Sequence, residues 1–177
     1  IEQLTRLSEL VENILSMSME RRKNFTLARD RIAVKPLFSE IAYIQKLKAN
    51  KPAEIDVEVV PENLEIDCDP VHFGNVINNL LDNAIKYSGD SVLIRVRADS
   101  RSISVSDNGI GISQKALPLI FNKFYRVPTG KRQDVRGYGI GLYYVRSIVE
   151  KHGWSISAAS SPGKGTIFTI RLNDDEK

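Results

Sequence analysis

The sequence predicts an α+β fold, a two-layer sandwich in which helices cover one face of a mixed β-sheet. Two observations support this prediction. The predicted strands tend to come as hairpins, residues 92–98 with 102–106 and residues 154–159 with 166–172. Helices are interspersed between them, with apolar residues at three- and four-residue steps. This mixture is typical of a sheet that buries one face against helices.

Composition narrows the class of protein. The 177 residues suffice for one well-cored domain with an appendage. The net charge of +3 is too small to indicate nucleic-acid binding, and we expect none. The single cysteine, Cys68, excludes an internal disulfide and a multi-cysteine metal site. No apolar run reaches membrane-spanning length and no signal peptide opens the chain, which begins inside a periodic pattern. We therefore expect a fragment of a longer protein.

We divide the chain into residues 1–24 and residues 25–177. The first segment is predicted to be an amphipathic helix whose apolar stripe packs on its own domain or on a partner helix in a bundle or coiled coil. The stripe consists of Ile1, Leu4, Leu7, Val11, Ile14 and Leu15. Residues 25–34 alternate well enough for a strand, and Pro36 predicts the first turn of a helix that ends near residue 49. Residues 55–59 predict a half-buried strand, with residues 64–67 as a short second arm.

Asp69-Pro70 predicts the start of the next helix, because aspartate caps a helix and proline fits its first position. The helix is predicted to run to about residue 87, with a polar face beside its apolar one. That polar face carries Asn75, Asn79, Asn83 and Lys86. Asparagine forms helices poorly, so the face is either a solvated surface or a polar wall toward a ligand. In the second case Asn83 would offer a carbonyl oxygen to a hard cation such as Mg²⁺.

Two glycine turns, Asp107–Gly111 and Gly137–Leu142, flank a paired-phenylalanine stretch and a basic loop. A mobile segment between two such turns predicts a lid over an anionic ligand, since glycine lets backbone N–H groups approach phosphate closely. A helix is predicted to follow Gly139, which would place phosphate at its N-terminus. Asp107 is either a turn former or an acceptor for an exocyclic amine such as that of adenine.

Other phosphate and metal motifs fail on their spacing. Gln114 stands where a dinucleotide-binding fingerprint needs its third glycine, and the turn around Gly163 lacks the spacing of a Walker loop. His72 and His152 stand alone, without metal-ligand spacing or an orienting carboxylate in sequence. These two histidines are therefore weak candidates for chemistry.

Taken in order, five short stretches resemble the conserved boxes of the catalytic and ATP-binding domain of sensor histidine kinases. This domain shares the Bergerat-type fold of gyrase, the Hsp90 chaperones and the MutL repair proteins. The stretches are residues 79–88 (N box), 107–112 (first glycine box), 121–126 (F box), 137–142 (second glycine box) and 163–166 (third glycine box). The resemblance covers roughly residues 25–172. Residues 1–24 resemble the second helix of the kinase's dimerisation bundle.

The resemblance implies a role for each box residue. Asn79, Lys86 and Arg126 would be catalytic, with Asn79 lining the phosphate side and the other two approaching the phosphates. Asn83 would bind Mg²⁺, Asp107 would accept from the amino group of adenine, and residues 128–136 would be the ATP lid. The cofactors would be ATP and Mg²⁺. The other implied nucleotide-binding residues are Tyr87, Gly109, Gly111, Ile112, Phe124, Lys131, Arg136, Gly137, Tyr138, Gly139, Ile140, Gly141, Leu142 and Thr166.

Two departures from the family pattern refine this prediction. In the hydrolase relatives a glutamate stands four residues before the magnesium asparagine, and here that position is Asn79. A neutral amide cannot act as a general base, so phosphoryl transfer with slow hydrolysis is expected. The phosphoacceptor histidine of the family has no counterpart in this chain. Two alternatives stay open, an ATP-driven conformational switch of the gyrase type and a nucleotide-binding pseudokinase scaffold.

The same resemblance implies partners and location. The partners would be ATP and ADP, the protein's own dimerisation and phosphoacceptor domain, and the receiver domain of a response regulator. The full-length protein would be a homodimer. This chain would be a cytoplasmic domain of a protein anchored in the bacterial inner membrane.

Overall fold

A computed structural model describes residues 25–128 and 139–173 of the chain. It has the predicted α+β architecture, while the predicted helix over residues 1–24 lies outside the described residues. The elements in chain order are β1 (Asp30–Ala33), α1 (Val34–Lys48), β2 (Ala53–Val59), β3 (Glu65–Cys68), α2 (Pro70–Lys86), β4 (Val92–Ala98), β5 (Ser102–Asp107), a short 3₁₀ helix (Leu117–Leu119), α3 (Gly141–Lys151), β6 (Ser155–Ser160) and β7 (Thr166–Arg171).

Five strands form the main sheet in the order β2-β4-β5-β7-β6, and the smaller sheet consists of β1 and β3. The pair β2–β4 is parallel and the other pairs of the main sheet are antiparallel, so the sheet is mixed as predicted. The two predicted hairpins, β4–β5 and β6–β7, are confirmed.

The predicted hairpin of residues 55–59 with residues 64–67 is wrong. Strand β2 pairs with β4 instead, and β3 pairs antiparallel with β1. Strand β1 is also shorter than predicted, and α1 begins at Val34, two residues before Pro36. Alternation determines which side chains of a strand are buried, but it carries no information about which strand lies alongside.

The core lies between the sheet and the helices. Its largest fully buried side chains include Phe38 of α1, Phe73, Ile77, Leu80 and Leu81 of α2, and Val92, Val96, Ile103, Val105 and Ile170 of the sheet. The opposite face of the sheet is exposed and includes the apolar Leu93 and Ile167, with ion pairs Arg95–Asp56 at 3.9 Å and Arg97–Glu58 at 2.9 Å between neighbouring strands. These exposed pairs add little stability, so burial on the helix side holds the two layers together.

Helix α2 crosses this core and is fixed at its start by Asp69. The Oδ1 atom of Asp69 accepts hydrogen bonds from the N–H groups of Val71 and His72, and Pro70 occupies the first turn. The Oδ2 atom accepts from the N–H of Ala28. Although burial alone would raise the pKa of Asp69, these backbone hydrogen bonds lower it below the usual value. The cap predicted from sequence is therefore confirmed, and it sets where the asparagines of α2 lie.

No helix within residues 25–128 and 139–173 combines the length and the apolarity needed to cross a membrane.

Candidate functional site

Asp107 is the last residue of β5, and only one of its two carboxylate oxygens accepts hydrogen bonds from described residues. Its Oδ1 atom accepts from the N–H of Gly109 at 2.8 Å and from the N–H of Thr166 at 3.3 Å. No hydrogen bond from a described residue reaches Oδ2. Burial raises the pKa of Asp107, and the two backbone hydrogen bonds lower it only in part. The site therefore holds a half-buried carboxylate with one oxygen available to an external donor.

The first glycine turn is held against the end of α2. The N–H of Ile110 donates to the carbonyl of Tyr87 at 2.9 Å. A Cβ atom at Gly109 would lie 2.7 Å from that same carbonyl oxygen and 2.8 Å from Oδ1 of Asp107. Glycine is therefore required for the close approach between the turn and the helix.

The first and third glycine turns interlock. The N–H of Gly163 donates to the carbonyl of Ile110 at 2.7 Å. Gly111 and Gly165 both have left-handed φ angles, of +72° and +77°, and a Cβ at either would overlap the backbone of the other turn. Residues more than fifty positions apart thus form one rigid wall beside Asp107.

A hydroxyl network behind this wall involves Ser160, which sequence analysis missed. Its Oγ accepts from the N–H of Ile112 at 2.8 Å, and it lies 2.7 Å from the carbonyl of Gly165 and 2.9 Å from Oγ1 of Thr166. Ser160 pairs with Thr166 across β6 and β7. The only local signal was a serine just before the third glycine turn, which is also the expected composition of an ordinary loop.

The asparagines of α2 have different surroundings. Asn79 donates from Nδ2 to the carbonyl of Asn75 at 2.8 Å, and a Cβ at Gly141 would lie 2.9 Å from its Oδ1. The amide oxygen of Asn79 therefore faces the start of α3. Asn78 accepts from Gln45 of α1 at 2.7 Å and belongs to the helix packing.

Asn83 lies one turn after Asn79 on α2 and is half-buried. Its side chain makes no hydrogen bond to any residue in the described part of the chain. Its carbonyl oxygen is thus available as a hard ligand, of the kind that Mg²⁺ uses together with waters and phosphate oxygens. No group of three or more His, Cys, Asp or Glu side chains in the described ranges could hold a metal by itself.

Helix α3 begins at Gly141, and no side chain caps it. Such an end leaves backbone N–H groups for an anionic ligand. Gly139, with φ of +74°, accepts from the N–H of Phe124 at 2.9 Å, and Phe124 itself has an unusual φ of +65°. The F-box stretch and the second glycine turn are therefore joined by their backbones. Phe124 is 58% exposed, whereas Ile140 is buried.

The predicted basic residues are only partly described. Lys86 forms an ion pair with Asp82, one turn earlier on α2, at 2.7 Å. Arg126 is exposed on the segment that leads toward the predicted lid. The predicted residues Lys131, Arg136, Gly137 and Tyr138 lie outside the described residues, as does the lid from residue 129 onward.

The two histidines have structural roles. His152 is buried, its Nε2 atom accepts from the N–H of Asp69 at 3.0 Å, and its Nδ1 lies 2.8 Å from the carbonyl of Ile148. Burial lowers the pKa of His152. His72 is also buried, with Nδ1 3.0 Å from the hydroxyl of Tyr144. Both side chains link the start of α2 to α3.

The chain matches known proteins over this same region. The family model described as histidine kinase-, DNA gyrase B- and HSP90-like ATPase matches residues 68–176. The sensor protein RprX of Bacteroides fragilis is 37% identical, over 97% of this chain and 34% of its own length. The sensor histidine kinase WalK of Bacillus subtilis is 30% identical, over 94% of this chain and 28% of its own length. The chain thus spans about a third of the length of these relatives.

Solved structures share the fold at lower sequence identity. The mycobacterial sensor histidine kinase MprB superposes with a TM-score of 0.69 at 23% identity, over 82% of this chain and 97% of that one. A full-length structure of ShkA in complex with AMPPNP superposes with a TM-score of 0.81 at 23% identity, over 97% of this chain and 36% of that one. These similarities establish the fold.

Proposed function

Because this chain belongs to the family of histidine kinase-, DNA gyrase B- and HSP90-like ATPases, we propose that it is the catalytic domain of a two-component sensor histidine kinase. It binds Mg·ATP and transfers the γ-phosphoryl group to a histidine outside this chain. The observation that carries the proposal is the interlocked pair of glycine turns, which leaves one carboxylate oxygen of Asp107 available near the end of α2, while Asn79 of the same helix faces the uncapped start of α3. This arrangement suits a ligand with an amine at one end and phosphates at the other.

The base end of the ligand is assigned to the wall around Asp107. Oδ2 of Asp107 accepts from the exocyclic amine of adenine, and Oδ1 stays with the two backbone N–H groups. Thr166 and Gly111 shape the slot from the third and first glycine turns, and Tyr87 lies at the end of α2 beside it. The ShkA structure, whose fold this chain shares, is a complex with AMPPNP, and this supports a nucleotide of the ATP type as the ligand of this chain.

The phosphate end is assigned to α2 and α3. The N-terminal N–H groups of α3 bind phosphate oxygens, and the Asn79 amide lies beside them. The free carbonyl oxygen of Asn83 would ligate Mg²⁺, whose chemistry is to neutralise the charge of the phosphates. Lys86 and Arg126 supply positive charge, and for Lys86 this requires release of its ion pair with Asp82. The sequence prediction also assigns Lys131, Arg136 and the second glycine turn to this phosphate end.

Transfer rather than hydrolysis follows from the residue at position 79. An asparagine amide has no basic lone pair at neutral pH, so the site lacks a group there that could activate water. Catalysis then consists of positioning and charge neutralisation, which is the usual contribution of proteins to phosphoryl transfer.

The acceptor histidine lies elsewhere in the parent protein. Both histidines of this chain are buried and hydrogen-bonded within the fold. The domain would therefore work with a dimerisation and phosphoacceptor domain, to which residues 1–24 are assigned from their resemblance alone, and with a receiver domain that takes the phosphoryl group onward. A homodimeric parent protein, anchored in the membrane with this domain in the cytoplasm where ATP is available, completes the proposal.

Calorimetric titration with ATP, with and without Mg²⁺, tests the proposal. We expect saturable binding that Mg²⁺ strengthens. Asn83→Ala should remove most of the Mg²⁺ dependence, whereas Asn78→Ala, on the same helix but bonded to Gln45, should keep it. No binding at millimolar ATP would refute the nucleotide site. Equal Mg²⁺ dependence in both variants would refute the assignment of Asn83 alone.

Phosphate release separates the remaining functions. Slow release by a chain that binds ATP supports a kinase domain. Fast release would favour the ATP-driven switch, and absence of ATP binding would favour a scaffold that signals by partner binding alone.

A further inference from the structure

We propose that Ser160 is a positioning residue that fixes the direction of the Thr166 hydroxyl proton, and that it thereby makes the base end of the site specific for purines with a hydrogen-bond donor at position 6. The inference rests on the proposed nucleotide-binding function. It adds a selectivity residue that does not itself touch the ligand.

Three side chains lie in one row across neighbouring strands. Asp107 ends β5, Thr166 begins β7, and Ser160 ends β6 opposite Thr166. All three project toward the helices, because they continue the alternation that buries Val105 on β5 and Phe168 on β7 and half-buries Ala158 on β6. Asp107 and Thr166 are linked by the hydrogen bond from the Thr166 N–H to Oδ1 of Asp107. Thr166 and Ser160 are linked by their hydroxyl groups, whose oxygens lie 2.9 Å apart.

Counting protons gives the direction of this last hydrogen bond. Ser160 has one hydroxyl proton and three polar neighbours: the N–H of Ile112, the carbonyl of Gly165 and the hydroxyl of Thr166. An N–H group can only donate and a carbonyl can only accept. The Ser160 proton therefore goes to Gly165, at 2.7 Å, and the proton shared by the two hydroxyls must come from Thr166.

The consequence concerns what Thr166 can offer to a ligand. Its only hydroxyl proton is committed to Ser160, so its oxygen presents lone pairs to the base end of the site. Oδ2 of Asp107 presents lone pairs as well. A purine with an amine at position 6 matches this pair of acceptors, whereas an oxygen at position 6 would face them with its own lone pairs. Leaving buried polar groups unmatched is how such sites reject an analogue.

Two size-matched nucleotides measure this selectivity. The triphosphate of N6-methyladenosine keeps an N–H at position 6, and the triphosphate of 6-methoxypurine riboside carries an oxygen there, with the methyl group and ring nitrogens unchanged. We define the selectivity as the ratio of their dissociation constants, methoxy over methylamino. For the wild-type chain we expect a ratio of about ten or more.

Ser160→Ala releases the proton of Thr166, which can then turn toward an oxygen at position 6. The ratio should fall about three- to tenfold, the range that one neutral hydrogen bond contributes. Ser160→Thr keeps the hydroxyl and should restore the wild-type ratio. In a Thr166→Val background, Ser160→Ala should leave the ratio unchanged, because the hydroxyl on which Ser160 acts is gone.

The outcomes separate the inference from the function. A wild-type chain that binds neither ATP nor the two analogues would overturn both. A wild-type chain that prefers the methylamino nucleotide while Ser160→Ala keeps that preference would overturn only the role of Ser160. If Ser160→Ala does not fold, Thr166→Val provides the test, since removal of this acceptor should lower the ratio as well and an unchanged ratio would overturn the inference.

Discussion

Replacing Asp107 by asparagine should separate binding from stability, because the two oxygens of this carboxylate do different work. Asparagine keeps one oxygen, which can still accept from the N–H groups of Gly109 and Thr166. The other oxygen becomes an NH₂ group, which cannot accept from an amine. The turn is therefore preserved while the proposed contact with adenine is removed.

The size of the binding effect follows from the kind of hydrogen bond that is lost. A hydrogen bond to a charged group contributes about 1.5–3 kcal/mol, so the affinity for ATP should fall about 10- to 150-fold. Asp107→Ala should lose a similar factor in binding. It should also be less stable than Asp107→Asn by about 2 kcal/mol, since two backbone N–H groups lose their acceptor.

Asp107→Asn should be at least as stable as the wild type, although its affinity for ATP falls. Burial raises the folded-state pKa of Asp107 above its usual value of 3.8, so the ionised side chain destabilises the folded chain at pH 7. Asp107→Asn removes this penalty and should unfold at an equal or higher urea concentration than the wild type. The advantage should disappear as the pH falls through the raised pKa, where wild-type Asp107 becomes neutral.

Urea unfolding at pH 7 and pH 4, together with calorimetric ATP titration, measures both quantities on the same samples. Wild-type affinity in Asp107→Asn would refute the contact with the amine. Asparagine and alanine variants of equal stability would refute the division of labour between Oδ1 and Oδ2.

Two further predictions concern the glycine turns and the buried histidine. Gly165→Ala should destabilise the chain by about 3 kcal/mol or more and weaken ATP binding, because its Cβ would overlap the carbonyl of Asp107. Gly163→Ala is the control, because Gly163 also has a positive φ but a Cβ there would meet no neighbouring atom. In urea unfolding this control should cost only about 1 kcal/mol. Equal effects would contradict the interlock. The pKa of His152 is lowered in the folded chain from its usual value of 6.5. Below pH 6.5 this histidine is therefore protonated more fully in the unfolded chain than in the folded one. The free energy of unfolding should fall as the pH drops from 7 to 5. The raised pKa of Asp107 changes the free energy of unfolding with pH in the opposite direction, so the pH dependence is best measured in Asp107→Asn. A free energy of unfolding that does not change with pH in this variant would contradict the role of the neutral His152 imidazole as acceptor for the N–H of Asp69.

Local patterns predicted the elements well and the pairing of distant ones less well. The Asp69-Pro70 cap and the β4–β5 and β6–β7 hairpins are encoded by residues close in sequence, and the structure confirms them. The partner of β2 was predicted wrongly because a parallel neighbour more than thirty residues away leaves no local trace. The glycine boxes predicted the turns that interlock beside Asp107, since a required glycine is visible in sequence. Ser160 left only a weak local signal, because its hydrogen bonds depend on the register between strands β6 and β7.

The two ends of the proposed site are built differently, and this difference has a mechanical consequence. The base end is assembled from β5, β6 and β7 and from two turns whose backbones interlock, so it cannot move without disturbing the sheet. The phosphate end is assembled from the faces and ends of α2 and α3, which are linked through Asp69, His152, His72 and Tyr144. The hydrogen bond from Ala28 to Asp69 connects this same link to the segment that follows residues 1–24. Displacement of that segment would therefore act on helices α2 and α3 before it reached the interlocked turns that form the proposed base end.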